Sequence, residues 1–419
     1  MHKLNSFNFD ITTLLLCLLP FSVIFGNLIL NVNIFFIISI YLVDIFKSHN
    51  LKLFFRDNKI ILFLLFFFLF FNLIVSINWQ LTLRGQLGLL KHIFLYFALI
   101  HFFFKKDSNF ELLVKMFFFA ILFVLVDSYI QFFFDKDLLG HKVTENHGRR
   151  LSGPFGDEYI VGSFILKTIF ITKYNKYFEN NYNWLVYLLI SFILVILASQ
   201  RMPTLMLSAS LIIIFLIEGK INLRAKISIF LVSILCLFLI FNYNSKIKKH
   251  YIDRTFEQVG IYNSDSKNHN FWDSQWGAHY LTAIEIYKDN LVFGSGLKTF
   301  RFECDKNEYK KINSLMAENR CSTHPHNIYF EIISETGTIG ILFFFYFLLN
   351  FIKTNKLFSK KNIKNNPEII ILLFIFFWPL QSTGSLFSTW NGFFYPLIMS
   401  YIYYISKKRI NFIKSNCEN

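Results

Sequence analysis

Apolar runs separated by short polar connections recur along nearly the whole chain, and no other feature constrains its fold so strongly. Runs such as 60–75, 184–198 and 227–241 are close to the length that carries a helix across roughly 30 Å of hydrocarbon. A membrane barrel would show alternation of apolar and polar residues instead. Composition agrees: 54% of the 419 residues are hydrophobic and 20% aromatic, far more than a soluble domain carries. The chain therefore reads as all-α, a polytopic membrane protein with about twelve transmembrane helices. They are expected at 10–25, 28–46, 60–76, 86–104, 111–133, 158–173, 183–199, 202–218, 226–243, 326–350, 368–386 and 391–406. The first run follows only His2 and Lys3 and lacks a small-residue cleavage site, so it reads as a retained span.

The formal net charge of +15 does not point to nucleic acid, because the basic residues are dealt out between apolar runs and do not line one soluble face. Alternate connections hold them: Lys47, Lys52, Arg56 and Lys59; Lys105 and Lys106; Lys173 and Lys176; Lys220, Arg224 and Lys226; Lys353 to Lys364; and Lys407 to Arg409. The positive-inside tendency places these in the cytoplasm and both termini with them. Three parts follow: nine helices over 1–243, an outer loop domain over 244–325, and three more helices with a cytoplasmic tail over 326–419. The outer segment is long enough to fold as a cap, with helical character over 279–288 and a turn over 290–296. Its aromatics Phe271, Trp272, Trp276 and Tyr280 suit headgroups or sugar rings, or packing within the cap. Cys304 and Cys321 share this segment, where disulfides persist, and are expected to pair, for about 3 kcal/mol. Cys17 and Cys236 fall in spans and Cys417 in the tail.

Chemistry gathers at three span starts on the outer side. Pro325 in THPHN suits a helix's first turn, with Thr323 or His324 as its cap, which sets His324 and His326 at the helix mouth. The positive helix end favours anions and lowers the pKa of an imidazole, so a neutral histidine there can act as a base. GRRLSGPFGDE brings Arg149 and Arg150 ahead of another span, and SQRMP places Arg201 at the start of a third; Arg254 follows soon after the ninth. Arginine's planar fork pairs with phosphate and stays charged. A lone arginine at the interface otherwise snorkels to headgroups, but Arg201 in so short an outer turn runs against the positive-inside tendency. Within spans, Lys91, Asp127 and Lys167 must face protein or water, and Lys167 with Asp127 is a conceivable pair. Walker loops, CxxC pairs and HExxH are all missing, which leaves ATP hydrolysis and zinc chemistry without support.

Taken in order, RRLSGPFGDE, SQRMPTL, DNLVFGSGLKTF and HPHNIYFEIISETGTIG resemble the O-antigen ligase and polymerase group of bacterial envelope glycosyltransferases. The resemblance implies an all-helical enzyme of the inner membrane with a large periplasmic loop. It implies transfer of a polyprenyl-diphosphate-linked glycan, without metal or other cofactor, to an acceptor hydroxyl by single displacement with inversion. Arg150, Arg201 and Arg254, with Arg149 beside them, would hold the donor diphosphate. The HN pair singles out His326 as the activating base, with His324 next to it and Asn327 in the substrate-binding set. His279 stands where the group often has a basic residue before the GxG turn. A ligase would take lipid A core as acceptor and a polymerase a second lipid-linked repeat; the ligase is favoured. A transporter or flippase of lipid-linked sugars is the reading from another class, but repeated halves and broken midplane helices are not evident.

Overall fold

A computed structural model describes residues 10–47, 65–144, 149–178, 180–219, 221–259 and 270–417. Among these the protein is helical, and extended backbone pairs only as isolated bridges, at Lys136 with Lys142 and Thr144 with Arg150. The helices are α1 Ile11–Ile24, α2 Asn27–Lys47, α3 Leu65–Val75, α4 Trp79–Lys105, α5 Asp107–Phe134, α6 Val161–Thr168, α7 Asn181–Leu197, α8 Arg201–Ile217 and α9 Leu223–Tyr243. After them come α10 Ser245–Tyr251, α11 Asp253–Val259, α12 Gln275–Asp289, α13 Phe300–Glu303, α14 Ile328–Thr354, α15 Lys360–Asn365, α16 Pro367–Phe377 and α17 Thr389–Cys417. Each expected apolar run carries helix. By length and composition, α2, α4, α5, α9 and α14 can cross a membrane, whereas α1, α3, α7, α8 and α16 are shorter. Lys52, Arg56, Lys59, Gly148 and Lys220 lie outside the described residues, as does the side chain of Cys417.

Three runs depart from a single straight helix. The 158–173 run is α6 followed by a 3-10 stretch, Ile169–Tyr174. Its Thr168 and Thr172 hydroxyls donate to the carbonyls of Phe164 and Ile169, and β-branched residues crowd the turn. The 368–386 run stops being helical at Phe377, since Pro379 and the polar QSTGS that follows favour extended chain. The 326–350 run begins at Ile328 and is broken inside at Gly337, whose φ of 65° is left-handed. Lys167 does not meet Asp127. Its ammonium bonds the Asn391 side chain and lies over the Trp390 ring at 4.8 Å, while Asp127 accepts from the Leu138 N–H at 3.0 Å.

Ion pairs mark one end of the bundle. There Lys105 meets Asp44, Lys408 lies 2.9 Å from Asp107, and Lys173 bridges Glu218 to Glu368. Glu218 follows the last turn of α8, and Glu368 opens α16, so the two helices run antiparallel. The start of α8, at Arg201, therefore shares the opposite end with the close of α16. Tyr329, in the first turn of α14, donates to the Phe377 carbonyl at 2.6 Å, which brings the THPHN segment to that same end.

The segment 270–327 packs over this end as a cap. α12 lies against α14, with Tyr280 and Phe330 stacked at 4.4 Å, while Trp272 remains exposed. Cys304 and Cys321 are disulfide-bonded with Cα atoms 5.2 Å apart. The 290–298 turn inserts into the break in α14. Ser295 and Gly296 N–H groups donate to the carbonyls of Ser334 and Glu335, and Thr338 and Ile339 donate back to Leu291 and Val292. Asn72 of α3 locks the crossing by donating to both Phe293 and Glu335 carbonyls. Gly294 has a φ of 74°, and a Cβ there would collide with the backbone of Glu335 and Thr336. Gly294→Ala is therefore expected to cost at least about 2 kcal/mol and to release the cap. Gly219→Ala, in open space, should be neutral; thermal unfolding of the two purified variants checks the contrast.

Candidate functional site

Asn327 decides where α14 begins. Its side-chain oxygen accepts from the N–H groups of Tyr329 at 2.9 Å and Phe330 at 3.3 Å, a strong N-cap. The helix thus opens after Pro325 and not on it, and the cap is neither Thr323 nor His324. The Asn327 amide donates to the carbonyls of Pro379 and Gln381, so its polar atoms are engaged with backbone. His324 and His326 precede the helix and are braced by the same extended 378–388 segment. Thr383 N–H donates to the His326 carbonyl at 2.8 Å, and the Thr383 carbonyl accepts from His324 Nε2 at 3.1 Å. That donation leaves His324 Nδ1 to accept from the Thr323 hydroxyl at 3.0 Å.

His326 has a φ of 58° and its ring sits in an imidazole–indole cluster: His324 at 4.3 Å, Trp276 edge-on at 4.9 Å and His279 at 5.4 Å between centroids. Its Nε2 meets the Ser322 hydroxyl at 2.9 Å, and His279 Nδ1 donates to the Arg320 carbonyl at 2.8 Å. Burial, then the neighbouring His324 and His279, push the His326 pKa down to about 3. Burial lowers His279 and His324 as well, against the hydrogen bonds they make to backbone. All three rings are neutral near pH 7, and a neutral imidazole beside a hydroxyl can take a proton from an alcohol.

Arginine builds a second cluster. Arg201 bonds the Thr255 hydroxyl through Nη1 at 3.1 Å, and its charge is opposed by those of Arg254 and Arg150. Arg150 arrives from the loop before α6 and rests over the Tyr159 ring at 4.6 Å. Arg149 turns away: with a φ of 50°, it donates to the Phe132 carbonyl at 2.6 Å and to Asp135 at 2.8 Å, closing the end of α5. The structure thus brings Arg150, Arg201 and Arg254 together and leaves Arg149 out. Positioning comes from α10, whose Tyr251 hydroxyl meets Thr204 on α8 at 2.8 Å and the Ile196 carbonyl on α7 at 3.2 Å. Arg301 is a cation that acts on His324.

Sequence reasoning passed over three groups. Glu331 and Glu335, buried one turn apart in α14, hold backbone from two other segments: Glu335 accepts from Lys298 N–H at 2.6 Å and Phe300 N–H at 3.2 Å, and Glu331 from Leu386 N–H at 2.7 Å and the Ser385 hydroxyl. Two carboxylates inside an apolar run are costly unless satisfied, and that spacing was the available signal. His250, at the end of α10, lies with the arginines. Among the described residues no group of histidine, cysteine and carboxylate side chains is arranged to hold a metal ion.

Residues 186–345 match the family model described as O-antigen ligase, a stretch that runs from α7 through the arginine turn and the cap into α14. Over that stretch the chain is similar to the O-antigen ligase family. The O-antigen ligase match takes in Arg201, Arg254, His250 and the whole THPHN segment, and leaves Arg150 outside it. No curated protein matches the chain.

The neutral histidines make a pH test. An unfolded His326 titrates near 6.5, its folded counterpart near 3, so between these values the unfolded state binds more protons and stability rises with pH. The contribution is present above pH 6.5 and is lost as pH falls toward 3. Acidification to pH 5 should loosen the cap by roughly 2 kcal/mol from His326 alone. Hydrogen exchange over 276–327 at pH 7 and pH 5 reads it, and His326→Gln should flatten the difference.

Proposed function

We propose that the protein is a glycosyltransferase that moves a polyprenyl-diphosphate-linked glycan onto an acceptor hydroxyl at the periplasmic face of the bacterial inner membrane, as an O-antigen ligase with lipid A core as acceptor. One observation carries the reading: Arg150, Arg201 and Arg254, from three separate segments, converge at the end of the bundle that also bears the neutral His326. The guanidinium groups would take the diphosphate in paired hydrogen bonds and hold its growing charge as the bond to the sugar breaks. His326 would accept the proton of the attacking hydroxyl, in a single displacement with inversion and with the arginines supplying the charge a metal otherwise would. Twelve spans, with the cap outside and the ion-paired end in the cytoplasm, complete the picture; the basic connections that the ion pairs gather support that orientation.

Purified protein given a polyprenyl-diphosphate glycan with lipid A core or with a second lipid-linked repeat separates the readings. Transfer to the core makes it a ligase, chain extension a polymerase, and movement without covalent product a flippase. His326→Ala should lower transfer by about 10² to 10⁴ in a protein that still folds. Arg201→Lys should cost about tenfold or more because a point charge cannot replace the fork, whereas Arg149→Lys, at a residue tied to Asp135, should stay near wild type. Wild-type transfer in Arg201→Lys would remove Arg201 from the site.

A further inference from the structure

His250 is 7% exposed, yet its Nδ1 has no hydrogen-bond partner. The ring is held through the backbone of Ser199 and lies within electrostatic reach of Arg201, Arg150 and Arg254. A buried polar nitrogen left unmatched costs about 1–3 kcal/mol, so an orphan at this position calls for a partner that arrives later. We propose that His250 is a fourth contact to the anion held by the three arginines: as a phosphate enters, Nδ1 takes a proton from solvent and donates it in a hydrogen bond to a phosphate oxygen. The inference rests on the anion-binding role proposed for those arginines.

Placement and charge both favour it. α10 is pinned at the adjacent Tyr251 to α7 and α8, which keeps the imidazole in register with Arg201. Among the described residues the charged groups that act on His250 are cations: Arg201 from α8, Arg254 from α11 and Arg150 from the loop before α6; Lys246, Lys248 and Lys249 stand on its own helix. Asp253 on α11 is exposed, and α9 carries Arg224 and Lys226 at its far end. Burial and then those arginines hold the imidazole neutral, at a pKa of about 4. A dianion set among the guanidinium groups offsets two of their three charges and brings an acceptor oxygen to the nitrogen, which favours a proton there. Lysine could not do this, because an ammonium would add a fourth fixed charge to the cluster.

The test uses the full-length protein in lipid nanodiscs and a short-chain P1,P2-dialkyl diphosphate, whose own charges do not titrate near neutrality. Calorimetry at pH 7 in two buffers of different ionisation enthalpy counts protons. Wild type should take up between one half and one proton per ligand bound, as a rough range set by the shift. Its affinity should fall by up to about tenfold per pH unit on the alkaline side. His250→Gln should bind with no uptake and a flat pH profile. Binding by wild type that Arg201→Ala abolishes, but without proton uptake, overturns the role of His250 and leaves the anion site standing. Unchanged uptake in His250→Gln, or in His250→Asn should the glutamine variant not fold, overturns it as well. No binding by wild type ends both readings together.

Discussion

Two carboxylates in the first half of α14 hold the working end of the molecule together. Glu335 takes the N–H groups of Lys298 and Phe300, and so fixes the 290–298 turn and the start of α13 against the helix. Glu331, one turn earlier, takes Leu386 N–H and the Ser385 hydroxyl, and so fixes the extended segment between α16 and α17. A buried carboxyl that loses such partners is left unsatisfied, which costs about 1–3 kcal/mol. Lys298 and Arg301 lie within electrostatic reach of Glu331. The cap, α14 and the loop that braces the histidines therefore form one unit, and the position of His326 depends on bonds made by residues that never touch it.

Two different electrostatic solutions stand side by side at that end. Around His326 the protein clusters imidazoles in a half-buried setting, so that burial and like-charge pressure keep a base unprotonated. Around Arg201 it gathers groups that cannot lose their charge, so the pressure remains and an anion relieves it. On the proposed function, a cluster of fixed cations would bind what is already charged, and a neutral base would act on what is about to become charged. Transfer between a diphosphate and an alcohol needs both, and needs them on separate segments so that neither neutralises the other.

The helices were legible because apolar runs of this length have one stable form in lipid, and even α16 was mistaken only in where it stops. The break at Gly337 was not legible, since its cause is the 290–298 turn, which reaches it only once the chain has folded. Arg149 and Arg150 are adjacent and chemically identical, and nothing in RRLSG says which one faces the cluster. The left-handed backbone at Arg149, which sends its guanidinium toward Asp135, decides it. His250 was hidden for another reason: KIKKHY reads as a solvated basic stretch, and only the packing of Tyr251 under α7 and α8 turns its last turn inward.

The order of His326 and Asn327 also has a physical reason. Asparagine is a good cap because its short side chain reaches back to the second and third N–H groups, which requires extended backbone at that residue, here φ −149° and ψ 132°. The residue before it lies outside the helix, with its carbonyl available to Thr383 and its side chain at the helix mouth. A left-handed φ of 58° there costs histidine less than it would a β-branched residue, and the bond to Thr383 together with the cap offsets that cost. The pair therefore works as a unit in which asparagine sets the direction of the chain and histidine presents its ring at the helix mouth. Exchanging the two would leave the helix without its asparagine cap and move the imidazole to the cap position.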